Sequence, residues 1–194
     1  MKMNGSQVID ASRETVWKGL NDPHILQQCI PGCSKIETTS PTEMKATVVV
    51  KVGPVKASFS GEVTLSDLKP PESYRISGKG QGGFAGFASG GATVKLTALS
   101  PGQTQMDYSV DAQVGGKLAM LGSRLIDSTA QSLAGKFFSK FGALMKAAAG
   151  DEAKAADAKK AKPAVKKAKP VAKKAKPTAK KKPAKKAASK KNVR

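Results

Sequence analysis

The sequence predicts an α+β fold: a curved antiparallel sheet of about six or seven strands around one long C-terminal helix, followed by a basic tail. Three observations carry this reading. From Met44 to Val114 apolar residues alternate with polar ones, the period of strands with one wet and one dry face. From Leu118 to Leu144 they recur at three-, four- and eight-residue steps, the period of a helix with one packed face. Beyond residue 150 the chain is almost wholly Lys, Ala and Pro. A one-sided sheet must cover its dry face, and the long helix is the only element large enough to do so.

Each element has its own justification. Met3–Asp10 reads as a first strand. Ser12 is a good N-cap with Glu14 in the first turn, and Val16, Trp17 and Leu20 give a short helix its apolar side. Asp22-Pro23 opens a second short helix, cap followed by proline, which Ile30-Pro31-Gly32 ends. Strands follow at Met44–Val52, Val55–Ser66, around Tyr74-Arg75-Ile76, at Ala92–Ala98 and at Gln105–Val114, the first two joined by the turn Gly53-Pro54. The last helix is expected from about Lys117 to Ala148, on the order of 45 Å long.

These signals divide the chain into a folded domain over residues 1–148 and a disordered tail over 149–194. The last 44 residues hold 18 basic and 3 acidic groups, which is +15 of the whole-chain +20. The unit Lys-Lys-Ala-Lys-Pro recurs at Lys159–Pro163, Lys166–Pro170 and Lys173–Pro177, and its prolines block a continuous helix. With only Val165, Val171 and Val193 as larger aliphatics, the tail cannot bury enough surface to offset chain entropy. It is a polycation suited to a polyanion. No stretch approaches the roughly 20 apolar residues of a membrane span. The N-terminus lacks an apolar signal core, and a cytoplasmic protein is expected.

The dry faces carry Val, Ala, Leu, Met, Phe and Gly, and no acid, base or nucleophile pattern. Phe59, Val94, Leu96 and Tyr108 on the strands, with Leu118, Leu121 and Leu125 on the helix, are the candidate walls of an apolar cavity. Small residues such as Ala46, Gly61, Ala92 and Ala112 fit an open volume and fit close packing equally well. Gly78–Gly91 reads as a flexible loop in which Phe84 and Phe87 gate a cavity mouth, dip into a bilayer or fold back into the core. Its formal G-x-G-x-x-G leads into a strand instead of a helix, so a dinucleotide site is rejected. Phe137, Phe138, Phe141 and Met145, interleaved with Lys136, Lys140 and Lys146, are candidates for contact with a membrane interface or a partner protein. Lys159, Lys160, Lys166, Lys167, Lys173 and Lys174 extend that contact into the tail.

Catalysis and metal binding find no pattern. His24 is the sole histidine, and Cys29 and Cys33 supply at most half of a zinc site, so buried or half-buried structural thiols are expected. No cofactor is expected. Tyr74 and Tyr108 are the polar groups nearest the dry face and are assigned to its rim.

Three segments together resemble the CoxG family of carbon monoxide dehydrogenase subunits: Asp22-Pro23 with Leu26, Cys29-Ile30-Pro31-Gly32-Cys33 and Glu37; the Gly78–Gly91 stretch; and Val114–Ile126. The resemblance covers about residues 1–148 and leaves the tail out. It implies the helix-grip fold of the START/Bet v 1-like superfamily. It also implies a non-catalytic accessory protein that binds a quinone or lipid. Such proteins are linked to recruitment of a molybdenum hydroxylase of the carbon monoxide dehydrogenase type to the inner face of the cytoplasmic membrane. The tail would then hold anionic lipid. Two other readings stay open: a nucleic-acid-associated protein acting through a histone-like tail, and a superfamily enzyme acting on a hydrophobic substrate.

Overall fold

The computed structural model describes residues 1–160. Seven strands form one antiparallel sheet: β1 (Lys2–Ile9), β2 (Cys33–Ser40), β3 (Glu43–Val52), β4 (Val55–Lys69), β5 (Ser73–Gln81), β6 (Phe87–Ser100) and β7 (Gln103–Gly115). Their order across the sheet is β1-β7-β6-β5-β4-β3-β2. From β2 to β7 the sheet is a meander, whereas β1 and β2 lie on opposite edges. The chain crosses between those edges through α1 (Arg13–Leu20) and α2 (Pro23–Cys29). The long helix α3 (Ser123–Lys160) packs over the same face.

The predicted caps are in place. Ser12 Oγ accepts from the Thr15 amide at 3.2 Å, and Asp22 Oδ1 accepts from the His24 amide at 2.8 Å. Each satisfies a helix N–H that has no partner within its own helix.

Four boundaries differ from expectation, each for a local reason. β2 was not foreseen because its pattern is broken by register shifts at Cys33/Lys35 and Thr38/Ser40, so its apolar residues do not alternate. Gly78–Gly91 is not a flexible loop. It is largely paired strand, with Gly78 opposite Gly90 and Gly80 opposite Ala88, turning over only at residues 82–86. The last helix does not start at Lys117. Gly116–Leu121 forms a short 3-10 segment, and Gly122 at φ +86° interrupts the backbone before α3 begins. Finally, α3 runs to Lys160, past Ala148 where the helix was expected to end.

The core falls into two clusters. The larger joins Val16, Leu20, Cys29, Leu65, Tyr74, Leu96 and Met106 to Phe141 and Met145 of α3. Its packing is close: a methyl group on Gly19 of α1 would stand 2.5 Å from Met145 Sδ. The smaller joins Val52, Ala85 and Leu118, backed by Val50, Phe59, Leu121 and Leu125. Between the two clusters the sheet and α3 do not meet fully.

Candidate functional site

The hollow is built by strand register. On the face toward α3, β3 to β7 present rows of aligned residues. One row is Met44, Val63, Gly78, Gly90 and Ala112, and its neighbour is Ala46, Gly61, Gly80, Ala88 and Val114. Glycine and alanine dominate the middle strands of both rows, so the floor carries almost no side chains. Nearer the large cluster the next row, Leu65, Ile76, Ala92 and Val110, is bulkier and closes the floor. The roof is Leu133, Ala134, Phe137 and Phe138 of α3, and Leu20, Leu26, Ile30 and Pro31 form a wall where α1 and α2 cross.

The cavity has a volume of about 430 Å³. A shallower hollow of about 370 Å³ lies over the glycine rows and shares Ala46, Val63, Ile76, Ala92 and Val110 with it. The two adjoin as one trough, roofed by α3 over the cavity and lined by sheet residues alone, Glu62 and Lys79 among them, over the shallow end; each is within the size range of small-molecule sites. None of the residues lining the cavity bears a formal charge at neutral pH.

Two lining residues carry a hydroxyl. Tyr74 is 3% exposed, packs edge-on against Trp17 with ring centroids 5.3 Å apart, and lines the cavity. Its hydroxyl makes no hydrogen bond among the described residues. Burial alone pushes its pKa well above the ordinary phenol value, so it stays a neutral donor. The expected rim position for Tyr74 is therefore corrected: it sits inside. Tyr108 is half-buried, packs at a tilt against Phe138 with ring centroids 5.0 Å apart and has its ring over Gly5 of β1, where no side chain intervenes.

The predicted site residues separate into groups. Val94 and Tyr108 line the cavity, and Phe59 lines its shallow extension. Leu96 is buried in the large cluster. Leu118, Leu121 and Leu125 belong to the small cluster that closes the far end. Phe84 and Phe87 do not gate the cavity. Ala88 faces inward, so alternation turns Phe87 outward, and Phe84 sits on a 3-10 turn with 82% of its surface exposed. The contact group on α3 is also corrected. Phe137 and Phe138 face the cavity, and Phe141 and Met145 are 0% and 1% exposed in the core. The helix buries two adjacent residues per turn, 133/134, 137/138, 141 and 144/145, a stripe wide enough to take in both phenylalanines. Lys159 and Lys160 end α3; Lys166, Lys167, Lys173 and Lys174 lie outside the described residues.

His24 is exposed. Cys29 is buried and Cys33 half-buried, both are free thiols, and burial raises both above the usual thiol range. Among the described residues no group of three or more His, Cys, Asp or Glu side chains could hold a metal ion, and no helix is long and apolar enough to cross a membrane.

A curved seven-stranded sheet, a crossing pair of short helices and a long helix roofing an apolar trough are the parts of a helix-grip protein. The model of the CoxG family of carbon monoxide dehydrogenase subunits matches residues 5–145. The chain belongs to that family. A conserved protein from Geobacillus kaustophilus is similar at 33% identity and a TM-score of 0.71, over 75% of this CoxG chain and 95% of its own. The fold is shared more distantly with an aromatase/cyclase from Streptomyces sp. R1128 (12% identity, TM-score 0.57, 75% and 93% of the two chains). It is shared also with a START superfamily protein from Mycobacterium smegmatis (14% identity, TM-score 0.53, 77% and 97%). A search of the curated proteins gave no match. The CoxG assignment makes this an accessory-protein family on a ligand-binding fold of the START/Bet v 1-like type.

Proposed function

We propose that this CoxG protein is a non-catalytic carrier. It holds one neutral apolar molecule, a quinone or a lipid, in the trough under α3. It also brings a molybdenum hydroxylase of the carbon monoxide dehydrogenase type to the inner face of the cytoplasmic membrane. The observation that carries the ligand half is a cavity of about 430 Å³ whose lining has no formal charge and includes the Tyr74 hydroxyl, which makes no hydrogen bond among the described residues. A ligand oxygen accepting from that hydroxyl would gain a hydrogen bond worth about 0.5–1.5 kcal/mol. A carboxylate in the same place would lose its hydration with no cation to replace it. The trough therefore favours an uncharged ligand with an acceptor oxygen, such as a quinone carbonyl or an ester. The membrane half rests on the family's link to the enzyme complex and on the 18 basic residues after position 150, each worth about 1 kcal/mol near an anionic leaflet.

Titrating the full chain with a short-chain quinone tests the ligand half. Trp17 lies against Tyr74, so its fluorescence should be quenched saturably at one equivalent; quenching that rises linearly without saturation overturns this reading. The non-catalytic assignment follows from the same lining. It includes no carboxylate, imidazole or amine side chain, and Tyr74 is held neutral by burial, so that phenol is not poised as a general base near neutral pH.

A further inference from the structure

The end of the sheet that carries the small cluster presents a surface that the ligand reading does not use. Three turns meet there: the β3–β4 turn, residues 82–86 between β5 and β6, and the 3-10 segment Gly116–Leu121. The last two are pressed together, since a side chain on Gly86 would collide with the Gly115 carbonyl. From this end Phe84 and Met120 project with 82% and 83% of their surface exposed, and Phe87 with 46%. Large apolar residues held that far out by short turns are not failed core residues, because the buried members of the same turns, Ala85 and Leu118, already fill the cluster.

The charge around them has one sign. Residues 51–56, 81–88 and 115–125 contain Lys51, Lys56, Lys117 and Arg124, all exposed, and no carboxylate. The nearest acid on the following helix turn, Asp127, is half-buried. Lys117 Nζ stands 3.2 Å from the centre of the Phe84 ring, so ammonium and aromatic are presented as a pair. A second copy of this end would be repelled by the same cations, and so would the basic tail of this chain. Exposed apolar side chains ringed by cations fit the interface of an anionic bilayer, where rings enter the acyl boundary and ammonium groups stay at the phosphates.

We propose that this tip, Phe84, Phe87 and Met120 with Lys51, Lys56, Lys117 and Arg124, inserts into an anionic membrane surface independently of the tail. This deepens the membrane half of the proposed function and rests on it. Phe59 joins the two features, since it belongs to the small cluster and lines the shallow hollow. Docking by the tip would set that end of the trough toward the lipid from which an apolar ligand is taken.

The test is co-sedimentation of the full chain with vesicles of phosphatidylcholine and phosphatidylglycerol at about 0.15 M salt, where long-range attraction is screened. The double variant Phe84→Ser/Met120→Ser should bind about tenfold more weakly, in line with the apolar area withdrawn. Leu99→Ser, a 52% exposed control toward the other end of β6, should change binding less than twofold. Phe84→Trp should bind at least as well as the parent chain, and its added fluorescence should be quenched by brominated lipid. If the parent chain and the double serine variant sediment equally, the tip is not an anchor and the tail alone carries membrane binding. If the parent chain fails to sediment even at low salt, both the tip and the membrane half of the proposed function fall.

Discussion

Tyr74 is the residue on which ligand choice turns. Its side chain is 3% exposed, and its hydroxyl makes no hydrogen bond among the described residues. Tyr74→Phe should therefore leave the apo protein as stable or slightly more stable, and should weaken a neutral carbonyl ligand by roughly 3–10-fold, the worth of one hydrogen bond. Thermal melts and the quinone titration read the two effects separately; a variant that loses stability and keeps its affinity would remove Tyr74 from the site. The pH dependence follows from the same burial. The phenol ionises from about pH 10 in the unfolded chain and later in the folded one, so the folded state holds the extra proton above pH 10. Stability due to this group is complete below pH 10 and falls as pH rises beyond it. Melting temperatures between pH 9 and 11 should drop more steeply for the parent chain than for Tyr74→Phe.

At the scale of elements, the sheet makes the trough by omission and α3 roofs it. A methyl group on Gly80 would meet its three nearest atoms at 3.7–3.9 Å, ordinary contact distances, so a side chain fits there and would fill the hollow. Gly80→Leu should fold normally, since it also replaces a strand glycine, and should abolish quinone quenching; unaltered quenching would place the ligand elsewhere. Phe141, by contrast, holds α3 to the large cluster, and Phe141→Ala should cost about 3–5 kcal/mol in denaturant unfolding. Much of this was legible in the sequence. Alternation in β3, β4, β6 and β7 named the dry-face residues, and the turn at Gly53-Pro54 sets Val52 opposite Val55 and hence Met44 opposite Val63. Extending that register strand by strand would have brought Leu65, Ile76, Ala92 and Val110 to one level, and with them the cavity floor. What could not be read was which wall each helix supplies. The adjacent pair Phe137/Phe138 looked like an excess for a one-residue stripe. Only the breadth of the hollow explains why both are buried. The Gly78–Gly91 stretch misled for a related reason: glycines that resemble a loop in composition are here paired strand stripped to leave room.

For the molecule as a whole, two core clusters with a gap between them explain how a small domain can be stable and hollow at once. The large cluster ties α1, α2 and α3 to the sheet, and the small one pins the start of α3 against three turns. Neither needs the gap filled. Membership of the CoxG family and the START-like fold place the domain among accessory proteins on a ligand-binding fold, and residues 151–194 add a charge of +15. Native mass spectrometry of the full chain, before and after incubation with a neutral quinone, tests this picture most directly. The protein should carry one uncharged apolar molecule per chain, and Gly80→Leu should fly bare. A parent chain that stays bare under every loading condition, or a Gly80→Leu variant that carries the same mass, would contradict it.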